Sequence, residues 1–434
     1  MAKIGIIGGG YTGLGVGYYL KDLTNHEVTI IEHNNFVGGL ASGIKVKEWE
    51  WPVDKVIHHF FTSDSYALGI AKEIGMGDKL IIKDTKSSCY YNGKIAELDS
   101  PFSLLKFPFI SFINRLRTGL VMFWIRLDKN YLKYEKITSF NFIKKYMGKN
   151  SFEVIWKPLF NGKFGKYAEQ INAAWFWARI HPRTKNLAYI GGGFQTYADK
   201  IADEIKKSNA KIMLNSKIRK IKHNNGKFEV FIGKKKFIFD IIVFAVPLQV
   251  ALKLFKFPKE YYENHSQLKS IGAQYFVLEL NHSFLDDGTY WLNVNDETFP
   301  FMMVAEHTNF IDKKYYNNKH IIWVGKYLDY DDKLWQLSED KFLEMIIPCL
   351  KKINPRFERS WINRSFFTRF TNAQPILPLN YSKMIPPIET PIKNLFIANM
   401  NHIYPWDRGT NQALWLGEKV ANILKNNVLL KNNK

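Results

Sequence analysis

Lys3–Ile7 (KIGII) is a β-branched run of the kind buried in a parallel sheet, and Gly8-x-Gly10-x-x-Gly13 follows it directly. Leu14–Lys21 then reads as a helix and Glu27–Glu32 (EVTIIE) as a second strand. Each glycine of such a strand–turn–helix has a physical task. The first permits a tight turn, the second lets a pyrophosphate approach the backbone, and the third lets helix and strand pack closely. Free N–H groups and the positive dipole end of the helix favour phosphate there. Glu32 stands nineteen positions beyond Gly13, where a carboxylate accepts the hydroxyls of an adenosine ribose and repels a 2′-phosphate. The segment reads as a dinucleotide site with Gly8, Gly10, Tyr11, Thr12, Gly13 and Glu32 as its residues.

A second glycine-rich loop, Gly38-Gly39-Leu40-Ala41-Ser42-Gly43, follows Glu32 closely. A nicotinamide dinucleotide has no need of it. An extended FAD does, because its diphosphate and ribityl chain require a second backbone cradle. The expected cofactor is therefore FAD, contacted by Gly39, Leu40, Ala41 and Ser42. No residue that would bond the flavin covalently is evident, so binding is expected to be non-covalent.

A chain of 434 residues exceeds what one hydrophobic core supports. The two cysteines, Cys89 and Cys349, are far apart and fit neither a zinc site nor a disulfide framework; no metal is expected. The formal net charge is +21, which favours anionic partners such as a phosphorylated or lipid-linked small-molecule substrate. The basic residues are spread along the chain rather than gathered in an arm, which argues against nucleic acid. No secretory leader and no spanning segment is apparent, so a cytoplasmic location is expected. Residues 101–134 are apolar, aromatic and basic together, interrupted by Lys106, Arg115, Arg117 and Arg126. Such a stretch can lie in a bilayer interface, which allows peripheral contact with the inner face of a membrane.

Further elements follow from pattern. Ser65–Ile74 and Phe194–Ser208 read as helices, and Ser88–Leu98 as a hairpin about Asn92-Gly93. Residues 101–185 read as helical and aromatic. Lys211–Lys222, Lys227–Ile232 and Lys235–Phe239 read as a meander, and Asp240–Val246 as a buried strand. Alternation across 270–330 predicts antiparallel sheet. Asn394–Ile397 is a last strand and Asn411–Lys425 a last helix.

The pattern Gly-x-Gly-x-x-Gly, Glu32 and Gly-Gly-Leu-Ala-Ser resembles the flavin amine oxidase superfamily. That group holds monoamine and polyamine oxidases, protoporphyrinogen oxidase, phytoene desaturases and, more distantly, UDP-galactopyranose mutase. The resemblance implies that Ile218, in NSKIRKI, belongs to the strand that grips the adenine. It implies that DIIVFAVP (Asp240–Pro247) returns the chain to the FAD domain. It implies that Asn394–Leu424 is the flavin-binding C-terminal segment, its helix start aimed at the flavin pyrimidine. Asp407 and Thr410 are candidate N-caps of that helix, and Asn411 lies in its first turn.

The resemblance also points to the substrate side. His58 and His59, in VDKVIHHFFTSD, partly match a histidine stretch of the mutase, and one of them would face the flavin as hydrogen-bond partner or proton carrier. Tyr404, Trp406 and Arg408 fall where amine oxidases place an aromatic pair, but the glycine-aromatic arrangement of those enzymes is missing here. Arg408 and Arg179 are candidates for binding an anionic substrate.

The expected fold is mixed α/β. A Rossmann-like FAD-binding part takes residues 1–85, 191–249 and 391–434. An antiparallel-sheet substrate domain takes 86–100 and 250–390, and a helical insertion takes 101–190. Three functions fit: an FAD-dependent oxidoreductase moving a hydride to or from flavin N5, a redox-neutral flavin-dependent sugar mutase, and a membrane-surface binding protein with structural FAD.

Overall fold

A computed structural model describes residues 1–23 and 25–426. Its parallel layer is drawn from both ends and the middle of the chain. The elements are β1 (Lys3–Ile7), α1 (Tyr11–Leu20), β2 (Glu27–Ile31), α2 (Gly193–Lys206), β3 (Lys211–Met213), β4 (Ile241–Phe244), β5 (Leu395–Ile397) and α3 (Thr410–Leu424). The strands run in the order β3-β2-β1-β4-β5, all parallel. Helices cover both faces, which is why β1 and β4 are apolar nearly throughout rather than alternating.

α1 is buried at every residue but Tyr19. Glycines at 13, 15 and 17 make it a poor helix by propensity, and packing accounts for them. A Cβ on Gly417 of α3 would lie 2.7 Å from the backbone of Gly15. The two helices therefore cross with their backbones almost touching, and Gly17 similarly admits Ile30 and Ile205.

The sequence pattern predicts Lys211–Lys222 as one strand; the structure breaks it. Lys211–Met213 pairs with β2, the chain turns through Asn215 at φ 50°, and Ile218–Asn224 begins the separate three-stranded meander. Alternation on both sides of the break hides it from pattern reading. The hairpin Lys86–Tyr91/Lys94–Glu97 turns at Asn92-Gly93, both at positive φ, as expected.

The second large sheet has seven strands: Ile362–Pro375, Ser270–Leu280, His320–Leu328, Met303–Glu306, Thr289–Val294 and the 86–97 hairpin in that order. It is antiparallel except where Thr289–Val294 runs parallel to Lys86–Tyr91. The helix Glu339–Ile353 packs Phe342, Ile346 and Leu350 on one face, while the other joins the main core. Asn186–Ile190 lies within the span expected to be helical. It pairs instead with Phe60–Phe61 and Leu80–Asp84 in a small third sheet. The helices Phe112–Leu127, Ser139–Met147, Lys157–Phe164 and Ala173–Ile180 form the aromatic layer beside the sheets. Among the described residues no helix is long and apolar enough to cross a membrane.

The crossing of α1 and α3 predicts a stability order. Gly417→Val forces a side chain between two backbones and is expected to cost about 1–3 kcal/mol. Gly69→Ala, in the helix Ser65–Glu73 with nothing near its added Cβ, is expected to stabilise by about 0.5–1 kcal/mol. Denaturant unfolding of both variants checks this; a Gly417→Val protein as stable as the parent would refute the close crossing.

Candidate active site

The two glycine loops touch. Gly38 N–H donates to Gly9 O at 2.9 Å, and Gly10 and Gly38 form a parallel bridge. A Cβ on Gly39, at φ +59°, would lie 3.1 Å from Gly10 Cα. One on Gly13 would lie 1.9 Å from Gly8 O, so only glycine permits the turn. The loops thus form one continuous side-chain-free cradle at the start of α1. Tyr11 donates its hydroxyl to Phe194 O at 2.6 Å, and Thr12 is buried beside it, so both offer the site their backbone. Leu40 and Ala41 continue the second loop as a short 3-10 turn. Ser42 is buried there, and its hydroxyl has no hydrogen-bond partner among the described residues. A buried, unpaired hydroxyl beside a cradle that any Cβ would fill fits a bound dinucleotide.

Glu32 stands at the end of β2. Its carboxylate accepts Gly9 N–H at 2.7 Å and Asn34 N–H at 2.9 Å, which holds it against the first loop. Ser216 N–H donates to Glu32 O at 2.8 Å, so the start of the meander, with Ile218 paired to Ile232, sits at the same end of the sheet. Asp54 anchors this region from below. It is wholly buried and accepts Phe194 N–H at 3.1 Å and the Tyr189 hydroxyl at 2.9 Å. Burial pushes its carboxyl up to about 8, against the pull of those two donors.

The C-terminal segment corrects one expectation. Gly409, not Asp407 or Thr410, is the N-cap of α3, and no side chain caps it. Thr410 is the first helical residue and is buried. Asn411 accepts Ala67 N–H at 3.0 Å, so its side chain ties α3 to the neighbouring helix. Asp407 accepts Arg408 N–H at 3.0 Å, and three side chains of the helical layer also claim it. Lys163 Nζ lies at 3.0 Å, Trp175 Nε1–H donates at 3.3 Å, and Arg179 stands at 3.8 Å.

A cavity between the sheets is lined by Leu40, Val56, His58, Ala273, Phe370 and Arg408. It joins the second glycine loop, one of the two histidines and the cation before α3. The His58 Nδ1–H donates to Val56 O at 2.6 Å, since a carbonyl only accepts, and Nε2 then keeps its lone pair. Burial and the nearby Arg408 charge lower His58 to about 4. His59 turns the other way, with its ring near Tyr290 and Trp291. Burial, Arg183 and His58 lower it to about 3. Burial thus favours the neutral form of both imidazoles at pH 7, which suits the hydrogen-bond role better than the proton-carrier role.

Arg408 donates from Nε to Gln374 at 3.3 Å and lies 5.2 Å from the centre of the Tyr327 ring. No carboxylate stands within ion-pair distance of its guanidinium among the described residues, so the structural ion pair falls to Lys163 and Asp407 instead. Lys163 is 5% exposed, and burial holds its ammonium well below the ordinary lysine range despite Asp407. Burial pushes Asp407 up, yet the Lys163 and Arg179 charges outweigh it and leave the carboxyl low. Two cations, Lys163 and Arg179, thus share one carboxylate.

Tyr404 and Trp406 do not reach the cavity. Tyr404 packs edge-on against Tyr131 and Tyr381, and Trp406 lies on Trp177 and His181. The helical layer supplies enough aromatic surface to absorb both. Lys163, Asp54 and Phe370 were not singled out by sequence. A lysine inside the aromatic run LFNGKFG was the one available sign of a buried cation.

The sequence profile described as flavin containing amine oxidoreductase matches residues 11–423. The chain belongs to that family, which implies a flavin cofactor and oxidoreductase chemistry in general. A protein assigned as protoporphyrinogen oxidase from Exiguobacterium sp. 255-15 shares the fold with a TM-score of 0.77, over 98% of each chain at 12% identity. Reduced UDP-galactopyranose mutase gives 0.75 over 98% of this chain and 94% of its own, at 13% identity. Cyclohexylamine oxidase from Brevibacterium oxydans IH-35A gives 0.71 over 98% of each, at 14%. At such identities the likeness is one of fold. No curated protein sequence matches the chain significantly.

The buried histidines predict a pH dependence. Their folded values lie below the ordinary histidine value of 6.5, so as pH falls below about 6.5 the unfolded chain takes protons that the folded chain refuses. Stability is full above that point and is lost as pH falls toward the folded values. His58→Asn is expected to lose on the order of 1 kcal/mol less stability than the parent between about pH 7 and about pH 5, allowing for solvent screening. Unfolding curves at the two pH values decide it; parallel losses would show that His58 is not held neutral.

Proposed function

We propose that the protein is an FAD-dependent oxidoreductase that holds FAD non-covalently and acts on a small organic anion. The observation that carries this reading is the cavity that joins the second glycine loop to Arg408, a cation without an ion-pair partner among the described residues. When bound, the flavin supplies hydride exchange at N5, and the protein supplies position and electrostatics. Glu32 accepts the adenosine ribose hydroxyls, and the backbone of Ile218 flanks the adenine. The N–H groups of Gly10, Tyr11 and Thr12 meet one end of the diphosphate, and the Gly39–Ser42 loop, with the unpaired Ser42 hydroxyl, meets the other. The uncapped first turn of α3 offers N–H groups and a positive dipole end to negative charge on the pyrimidine side. Arg408 holds a substrate carboxylate or phosphate, and Arg179 and Lys163 keep that end of the cavity positive. His58 Nε2 accepts a hydrogen bond from the substrate, and Leu40, Val56 and Phe370 exclude water.

A second reading keeps the same binding residues with a redox-neutral outcome, a flavin-dependent sugar mutase. The unpaired cation at the cavity favours it, since a nucleotide-linked sugar carries a diphosphate. Net two-electron turnover of a substrate excludes a purely isomerising role.

Two measurements test the proposal. The purified protein is expected to be yellow and to release FAD on denaturation, and Glu32→Ala is expected to weaken FAD binding about tenfold to a hundredfold, the worth of one charged hydrogen bond. A chain that stays colourless with added FAD would overturn the cofactor. Arg408→Gln is expected to raise KM for an anionic substrate at least about tenfold with flavin content unchanged.

A further inference from the structure

The helix Phe112–Leu127 is sixteen residues long and turns a continuous apolar face outward. Phe112, Ile113, Leu120, Phe123 and Leu127 are each at least 61% exposed, and Leu116 lies among them. At 100° per residue these six positions fall within an arc of about 100°, one side of the helix. The opposite side is spent on packing: Thr118 and Ile125 are buried, and Thr118 bonds Ser151 at 2.8 Å. Phe102 and Leu105, on the preceding short helix Pro101–Lys106, extend the exposed apolar surface. Soluble monomers rarely leave so contiguous an apolar surface bare.

The rim of this face is basic. Residues 101–127 contain four cations and no carboxylate. Arg115 and Arg117 are turned inward to backbone carbonyls of Leu105, Ile110, Lys145 and Tyr146. Lys106 and Arg126 remain at the edge, and Lys129 and Lys136 follow in the next segment. None of these four forms an ion pair among the described residues. The nearest carboxylates are spent: Asp128 is paired with Lys133, and Glu135 is buried.

We infer that this face docks on the surface of an anionic lipid bilayer, with the helix lying in the plane of the interface. Charge complementarity selects this occupant. A second copy laid on the same face would set one cationic rim against another, in a chain already at +21. Anionic headgroups meet the cations while the acyl boundary takes the Phe and Leu side chains. No residue of the face belongs to the candidate active site, so the inference stands apart from the proposed chemistry. The C-cap of the same helix nevertheless bonds the inner layer: Asp128 O accepts Trp177 Nε1–H at 2.7 Å, and Trp177 packs on Trp406, two residues before Arg408.

Flotation of the full chain with phosphatidylcholine vesicles, with and without phosphatidylglycerol, tests it. The parent is expected to float with the phosphatidylglycerol vesicles. Leu120→Glu/Phe123→Glu, at exposed positions, is expected to lower the vesicle-bound fraction at least about tenfold with an unchanged unfolding midpoint. A parent that stays in the soluble fraction would overturn the inference, and so would a double variant that floats equally well. Equal flotation on pure phosphatidylcholine would overturn the anionic-lipid assignment. Sedimentation velocity separates the other occupant: a parent dimer that the double variant converts to monomer would assign the face to a second copy.

Discussion

The near-contact of Gly15 and Gly417 sets the geometry on which the site depends. α3 is the last described helix of the chain, and α1 is the first. Their crossing with no side chain between them brings the start of α3 to the rim of the glycine cradle. Helices separated by ordinary side chains stand 8–10 Å apart, which would move that N-terminus outward by several ångströms. The Asn411–Ala67 hydrogen bond then fixes rotation about the contact. A site for an extended dinucleotide needs donors at both its ends, and this crossing supplies the second end from a segment 400 residues away in sequence.

The cation cluster sets a different kind of constraint. At 3.0 Å and an effective dielectric near 20, the Lys163–Asp407 attraction is worth about 5 kcal/mol. Removing each ion from water costs several kcal/mol, so the pair does no better than break even. Arg179 and Arg408 add charge that one carboxylate cannot neutralise. Such an arrangement is poor for stability alone, and perturbed groups of this kind gather where ligands bind. An arriving anion would complete the charge balance that Asp407 leaves unfinished.

The glycine cradle was legible in sequence because it is made by backbone. Gly8, Gly10 and Gly13 are read from spacing, and Glu32 from its distance down the chain. The touching of the two loops follows from the lack of any Cβ at Gly10 and Gly39. The substrate half was not legible in the same way. His58 and His59 are adjacent, and only the folded chain before the strand Phe60–Phe61 sends one to the cavity and the other to Tyr290. Asp407 looked like a cap because it precedes a helix. Its partners, Lys163, Trp175 and Arg179, come from the insertion and are invisible to local pattern. The split of Lys211–Lys222 between two sheets was hidden for a related reason: alternation reports which face is buried, not which strand is the neighbour.

The helical layer between residues 101 and 180 carries three roles on one scaffold. Lys163, Arg179 and Trp175 hold Asp407, Trp177 packs on Trp406, and Phe112–Leu127 presents the outer apolar face. The glycine loops and the start of α3 come instead from the parallel layer. The two halves can therefore vary independently: the glycine loops are held by close backbone approach that tolerates little change, whereas the helical layer is held by ring packing that accommodates substitution. What distinguishes this chain from proteins of the same fold at 12–14% identity should accordingly be sought in the layer, which keeps its cations inside and turns apolar side chains outward.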